Sequence, residues 1–323
     1  MKKFLTFILI TLLALFMVAC GDTDKDSASD DNKGTDKEKE ESTETIKVEH
    51  ELDTTEVKKN PKNVVVFDYG LLDTLDKLDV DVAGVAQSSN IPKYLDKYTS
   101  EDYANIGSLK EPDFEKIAEI APELILITGR QTEVYEELSE IAPTVYLGVD
   151  PARYMDSFKE NMEVIGEIFD KTSEVETAIN DIEESIVTLK EKSKDMDEKA
   201  LVILSNDDKI SAYGPKSRFG LIHDVFGVKP VDEKIEASTH GMSVSFEYVV
   251  ENDPDILYVV DRSAVVDGES SAKQVVENKL VEKTKAYKND RIVYLNPEIW
   301  YLSGGGLISV EMMVDEIAES LEK

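Results

Sequence analysis

Apolar and polar positions alternate along this chain in blocks that switch between a strand period and a helix period. After Pro61 the blocks predict a strand over Val64–Asp68, a helix over Leu71–Leu78, a strand over Val82–Ala86 and a helical turn near Tyr94. A helix over Thr132–Ile141 and a strand over Thr144–Leu147 follow. From Arg153 to about Lys192 there is no proline, and Met155, Phe158, Met162, Ile165 and Phe169 fall at helical spacing, with Gly166 the one weak point. That stretch reads as one long helix, or two. The alternation then resumes, with strands over Ala200–Ser205, Lys209–Tyr213 and Arg291–Leu295 and helices over Phe219–Phe226, Lys273–Leu280 and Leu307–Leu321. Strand and helix in turn imply parallel-type sheets with helices around them, here as two α/β lobes joined by a long helix.

One eighteen-residue segment occurs in both halves, DFEKIAEIAPELILITGR from Asp113 to Arg130 and SFEYVVENDPDILYVVDR from Ser245 to Arg262. Aligned without a gap, the copies share Phe114/Phe246, Glu115/Glu247, Glu119/Glu251, Pro122/Pro254 and Arg130/Arg262. Each copy predicts a helix with a glutamate in its first turn, a proline break, a buried strand, and an arginine where the strand ends. Ligands of open α/β sheets sit at that carboxyl end. Duplication of an arginine there points to an anion held between the lobes.

Composition narrows the partners. With 68 Asp and Glu against 36 Lys and Arg, the net charge is −32, the wrong sign for a protein that binds a nucleic-acid backbone. Lysines are scattered and arginines are few: Arg130, Arg153, Arg218, Arg262 and Arg291. At the N-terminus Lys2 and Lys3 precede an apolar run, Phe4–Val18, that falls short of the ~20 residues of a spanning helix and reads as an export signal. Cys20 is the single cysteine, so it has no partner for a disulfide within the chain. The run from Asp22 to about Thr45 is almost wholly Asp, Glu, Lys, Ser and Thr and is expected to be a disordered tether. The division that follows is signal peptide 1–19, lipid attachment and acidic tether 20–50, first lobe 51–150, helical link 151–192 and second lobe 193–323.

MVAC followed by Gly21 resembles the lipobox of bacterial lipoproteins, with Met17 where leucine is usual, and implies cleavage before Cys20 and lipid on its sulfur. With the tether, the two lobes on a long helix and the repeated FE…P…R segments, the whole mature chain resembles the substrate-binding lipoproteins of ABC importers for ferric siderophores, cobalamin and haem. Within that family, VVVFDYGLLDTLDKL, GSLKEPDFEKIAE, SAYGPKSRFGLIHDVFGV, ASTHGMSVSFEY and WYLSGGG are similar to the members that bind ferric petrobactin.

The resemblance implies a cleft between the lobes into which Arg130, Arg218 and Arg262 point toward a negatively charged ferric catecholate, the ligand rather than a cofactor. Arginine suits the task because its flat cation stays charged, presents several donors and stacks on rings. Three charged hydrogen bonds supply roughly 5–9 kcal/mol, against about 12 kcal/mol for nanomolar binding. Aromatic walls are therefore expected, with Tyr213, Phe219, Trp300 and Tyr301 as candidates. In related binders a histidine and a tyrosine complete the iron shell of a tetradentate siderophore, and His240 and Tyr301 match them; a hexadentate ligand needs neither. Glu115 and Glu247 match the glutamates that dock onto an ABC permease dimer, and they also suit the positive end of their helices. The implied protein is an extracytoplasmic, lipid-anchored monomer at the cell membrane, and not an enzyme.

Other classes find less support. There is no dinucleotide or P-loop fingerprint, since Gly304-Gly305-Gly306 lacks the following Lys-Ser/Thr, and no G-x-S-x-G or H-E-x-x-H occurs. Three histidines make a poor zinc or manganese set. Within the same importer class the alternative ligand is haem or cobalamin, neither of which calls for three cleft arginines.

Overall fold

The computed structural model describes residues 44–266, 268 and 272–322; the signal segment, Cys20 and most of the expected tether lie outside them. The folded part begins earlier than the expected boundary at 50. A hairpin of β1 (Thr45–Glu49) and β2 (Thr54–Lys58) forms because Val48 and Val57 each find a buried place on the first lobe. His50, expected in the tether, sits at the hairpin turn with its ring against Tyr135 and its Nε2 beside the Thr55 hydroxyl.

The first lobe comprises β3 (Val64–Val66), α1 (Tyr69–Lys77), β4 (Gly84–Val85), β5 (Ala104–Asn105), α2 (Phe114–Ile120), β6 (Leu124–Ile127), α3 (Tyr135–Ser139) and β7 (Thr144–Tyr146). Its sheet has the order β5-β4-β3-β6-β7, every pair parallel. Both faces are covered, which is why β3 and β6 are unbroken apolar runs, VVV and LILI.

The helical link is two helices, α4 (Tyr154–Ile168) and α5 (Thr172–Ser193). Asp170 takes a left-handed conformation (φ 53°) and the Lys171 N–H bonds back to the Gly166 carbonyl at 2.8 Å, a Schellman-type stop. Gly166 marks the crossing, since a Cβ there would lie 3.1 Å from the Thr172 Cα. The 22-residue α5, about 33 Å long, makes the connection to the second lobe, where the Ser193 hydroxyl donates to the Phe226 carbonyl.

The second lobe contains β8 (Lys199–Asn206), β9 (Lys209–Tyr213), α6 (Leu221–Asp224), β10 (Lys229–Pro230), β11 (Met242–Val244), α7 (Phe246–Asn252), β12 (Ile256–Asp261), α8 (Arg262–Val266), α9 (Ala272–Val276), α10 (Lys285–Lys288), β13 (Ile292–Leu295) and α11 (Leu307–Ser320). The sheet runs β11-β9-β8-β12-β13 with β10 also on β8, and β9 alone runs against the rest. Alternate residues divide its faces. Val202, Ile256, Tyr258 and Val260 join the core shared with the first lobe, α4, α5 and α11, while Leu201, Ile203, Leu257 and Val259 pack a separate outer core.

The repeat folds in register. Helices α2 and α7 have the same bounds within their copies, both end on a left-handed residue, Ala121 (φ 49°) and Asp253 (φ 42°), and both strands start two residues after the proline. The acid after each proline does the same work: Glu123 accepts from the Lys62 N–H and Asp255 from the Lys199 N–H, each fixing the start of the neighbouring strand.

The last helix, read as part of the second lobe, begins against the first. Asp73 of α1 accepts from the Ile308 and Ser309 N–H groups at 3.0 and 3.1 Å, and the Thr74 hydroxyl accepts from Leu307. At the far end the Ser320 hydroxyl meets the Tyr258 hydroxyl in the second lobe. Two helices, α5 and α11, therefore span the lobes, where the sequence suggested a single connection. Glycine is required at the start of α11 because a Cβ on Gly306 would lie 2.0 Å from the Gly70 carbonyl oxygen. Burial pushes the Asp73 carboxyl up to about 7, tempered by the bonds from Ser309, Ile308 and Tyr94.

Candidate ligand-binding cleft

In each lobe the repeat's arginine stands at the end of one strand and meets a polar residue at the end of its neighbour. In the first lobe β3 pairs with β6, which brings Asp68 within 3.4 Å of Arg130. In the second, β8 pairs with β12, and the Asn206 side-chain oxygen accepts from Arg262 at 2.6 Å. Asp68 also caps α1 by accepting from the Gly70 and Leu71 N–H groups, and it takes the Thr128 hydroxyl. Burial raises its carboxyl above the usual range, against the opposing charge of Arg130 and these bonds.

Between the two strand ends stands Tyr301, carried on a π-helical turn, Glu298–Leu302. All three expected arginines converge on it. Arg130 and Arg218 donate to its main-chain oxygen at 2.8 and 2.7 Å, and the Arg262 Nε donates to its hydroxyl at 3.0 Å. The Arg218 guanidinium also lies over the Tyr301 ring, 4.3 Å from its centre. That carbonyl is available because the helix stops there: Gly304 and Gly305 adopt φ 65° and 96°, turning the chain before a further N–H reaches it. Burial alone would push the Tyr301 phenol up. The Arg262 hydrogen bond and the charges of Arg218, Arg262 and Arg130 outweigh it and hold the phenol below its ordinary value. Arg218 in turn is lowered by burial and by the nearby charge of Arg130. Among the described contacts the three cations make one ion pair, that of Arg130 with Asp68, so the cluster favours an incoming anion.

The remaining candidates divide. Tyr213, Phe219 and Trp300 are buried and line up beneath Arg218 and Tyr301, with ring centres 4.6 and 6.4 Å apart along the row, so they support the site rather than wall it. His240 is exposed on the loop before β11, and its one hydrogen bond among those described runs from its backbone N–H to Ser238. His223 is buried in α6, its Nδ1 against the Val228 carbonyl. Arg153 pairs with Glu160, and Arg291 with Glu198 at the start of β13. Glu115 and Glu247 are both exposed in the first turns of α2 and α7, and the Ser245 hydroxyl holds Glu247 below the usual carboxylate range. Among the described residues no group of three or more His, Cys, Asp or Glu side chains is placed to hold a metal.

Sequence reasoning missed Asp68, Asn206 and the Tyr301 carbonyl. The first two carried a readable signal, being polar residues at the carboxyl ends of apolar strands. The third carried none, because a main-chain acceptor has no residue identity.

An arginine cluster held between two mainly parallel α/β lobes spanned by helices is the arrangement of a solute-binding protein, and the chain belongs to the periplasmic binding protein family, whose model matches residues 64–299. It is 51% identical to the petrobactin-binding protein YclQ of Bacillus subtilis over the full length of both chains. The crystal structure of that protein superposes with a TM-score of 0.85, covering 87% of this chain and 99% of the other at 54% identity. The catecholate-siderophore binding protein VctP of Vibrio cholerae superposes at 0.80, covering 85% and 99%, with 34% identity. The family is one of binding proteins and not of enzymes.

Proposed function

We propose that this chain captures a ferric catecholate siderophore of the petrobactin type outside the cytoplasm and delivers it to an ABC permease. The observation that carries the reading is the convergence of Arg130, Arg218 and Arg262, from both lobes, on Tyr301. An anionic ligand arriving there exchanges the weak neutral acceptor at Tyr301 for charged oxygens, and charged hydrogen bonds are about twice as strong as neutral ones. The resemblance to YclQ supports petrobactin as the ligand type. With a hexadentate ligand the iron is fully coordinated by the siderophore, and neither Tyr301 nor the exposed His240 is needed as a metal ligand; with a tetradentate one both are available.

The export signal and Cys20 support lipid anchoring of a monomer on the outer face of the membrane. Glu115 and Glu247, exposed at equivalent positions of the two lobes, suit a dimeric permease that presents the same basic patch twice. Titrating the purified protein with ferric catecholates, ferric hydroxamates, haem and cobalamin, read by quenching of Trp300 and tyrosine fluorescence, tests the ligand class. Tightest binding of a ferric bis-catecholate is the expected result. Tighter binding of haem, cobalamin or a hydroxamate overturns it.

A further inference from the structure

The π-turn that presents Tyr301 is anchored from outside the cleft. Its single tryptophan, Trp300, is buried, and its indole Nε1 donates to Glu316 Oε2 of α11 at 2.6 Å. The other oxygen of the same carboxylate, Oε1, accepts from the Asn296 N–H at 2.8 Å, at the point where β13 gives way to the turn. Asn296 then accepts from the Glu298 N–H with its own side chain, and the turn closes with a Ser303 N–H bond to the Glu298 carbonyl, the i to i−5 bond of a π-helix. One carboxylate thus fixes both the start of the turn and the residue next to Tyr301.

The geometry points to Glu316 as a positioning residue for ligand binding: through Trp300 and Asn296 it sets where the Tyr301 carbonyl and ring stand, and so where the guanidinium groups of Arg130, Arg218 and Arg262 are held. The inference rests on the ligand-binding reading above. Glu316 touches none of the three arginines by hydrogen bond among those described, yet each of them bonds to the residue that follows Trp300. Two donors face the carboxylate, one per oxygen, so glutamine cannot replace it. A glutamine amide offers one acceptor and turns an N–H toward the second donor, leaving that donor without a partner. The turn then shifts, and with it the acceptor that holds arginines from two lobes in one place.

The test uses the Glu316→Gln variant of the whole mature chain, with two readouts. In ligand-free, 15N-labelled protein, the five arginine Nε–H signals and the single indole N–H signal report the site directly. The indole signal and those of Arg130, Arg218 and Arg262 are expected to move, while those of Arg153 and Arg291 stay. In titrations with a ferric bis-catecholate, Glu316→Gln is expected to weaken binding about tenfold in the wild-type background and less than threefold in an Arg218→Gln background, the non-additivity of residues that act as a unit. Unmoved arginine signals, or the same loss in both backgrounds, overturn the positioning role. If Glu316→Gln does not fold, Trp300→Phe removes the indole donor alone and is read by the same arginine signals and the same cycle. A wild-type protein that ignores ferric bis-catecholates sinks the proposed ligand, and the arginine signals then decide the positioning role by themselves.

Discussion

Replacing Arg218 by glutamine separates what the cleft does for binding from what it does for folding. Arg218 and Arg130 both donate to one oxygen, at 2.7 and 2.8 Å, so their charges stand about 5 Å apart and repel by roughly 3 kcal/mol at an effective dielectric constant near 20. Against this, the Arg218 bond to Tyr301 is worth on the order of 1.5–3 kcal/mol. In the ligand-free protein these two terms nearly cancel, and Arg218→Gln is expected to leave Tm unchanged or slightly raised. With an anionic ligand bound the repulsion is relieved and the charged contact remains. The variant then loses about 1.5–3 kcal/mol of affinity, a Kd some 10 to 150 times weaker. Isothermal titration with a ferric bis-catecholate and a thermal melt of the unliganded protein read the two quantities separately. A Kd within twofold of wild type, or a Tm fall of more than about 5 °C, which is a loss of roughly 2 kcal/mol in a chain of this size, would refute the reasoning. The first result would take Arg218 out of the binding site, and the second would make it a structural residue.

Asp73 gives a pH-dependent counterpart. Its carboxyl stands near 7 in the folded protein against 3.8 as the reference, so the native state binds the proton more tightly than the unfolded chain does. Its contribution therefore favours the fold in acid and is lost as pH rises from about 4 to about 7, by up to ~4 kcal/mol. Asp73→Asn lacks this slope, and denaturant melts across that range should show the variant gaining on wild type as pH increases; parallel curves would contradict it. Glu115→Ala and Glu247→Ala are expected to bind ligand with wild-type affinity while reducing iron uptake in cells that depend on this protein. A matching loss of affinity would place the glutamates in the binding site instead. Ala121 holds a left-handed conformation that costs a non-glycine residue on the order of 1 kcal/mol. Ala121→Gly should accordingly leave Tm unchanged or raise it by a few degrees, and a clear fall would show that the Ala121 methyl packs.

The alternation of strand and helix was legible because each element carries its own local signal. The repeat was the clearest case: Pro122 and Pro254 stop their helices, LILI and ILYVV can only be buried strands, and Arg130 and Arg262 follow where those strands end. Arg218 and Tyr301 came from family resemblance, and the structure places both in the same cluster as the two repeat arginines. The stop at Asp170 was harder to see, since Gly166 lies inside α4 and its small size is needed only because α5 folds back across it. What the chain by itself determined was the pair of lobes and the arginines that follow their strands. Tertiary structure decided the rest, because it depends on partners distant in sequence: Asp73 on the start of α11, Glu316 under Trp300, and one main-chain oxygen shared by arginines of both lobes. A backbone carbonyl is the same in every residue, so only the fold could single out the one at Tyr301.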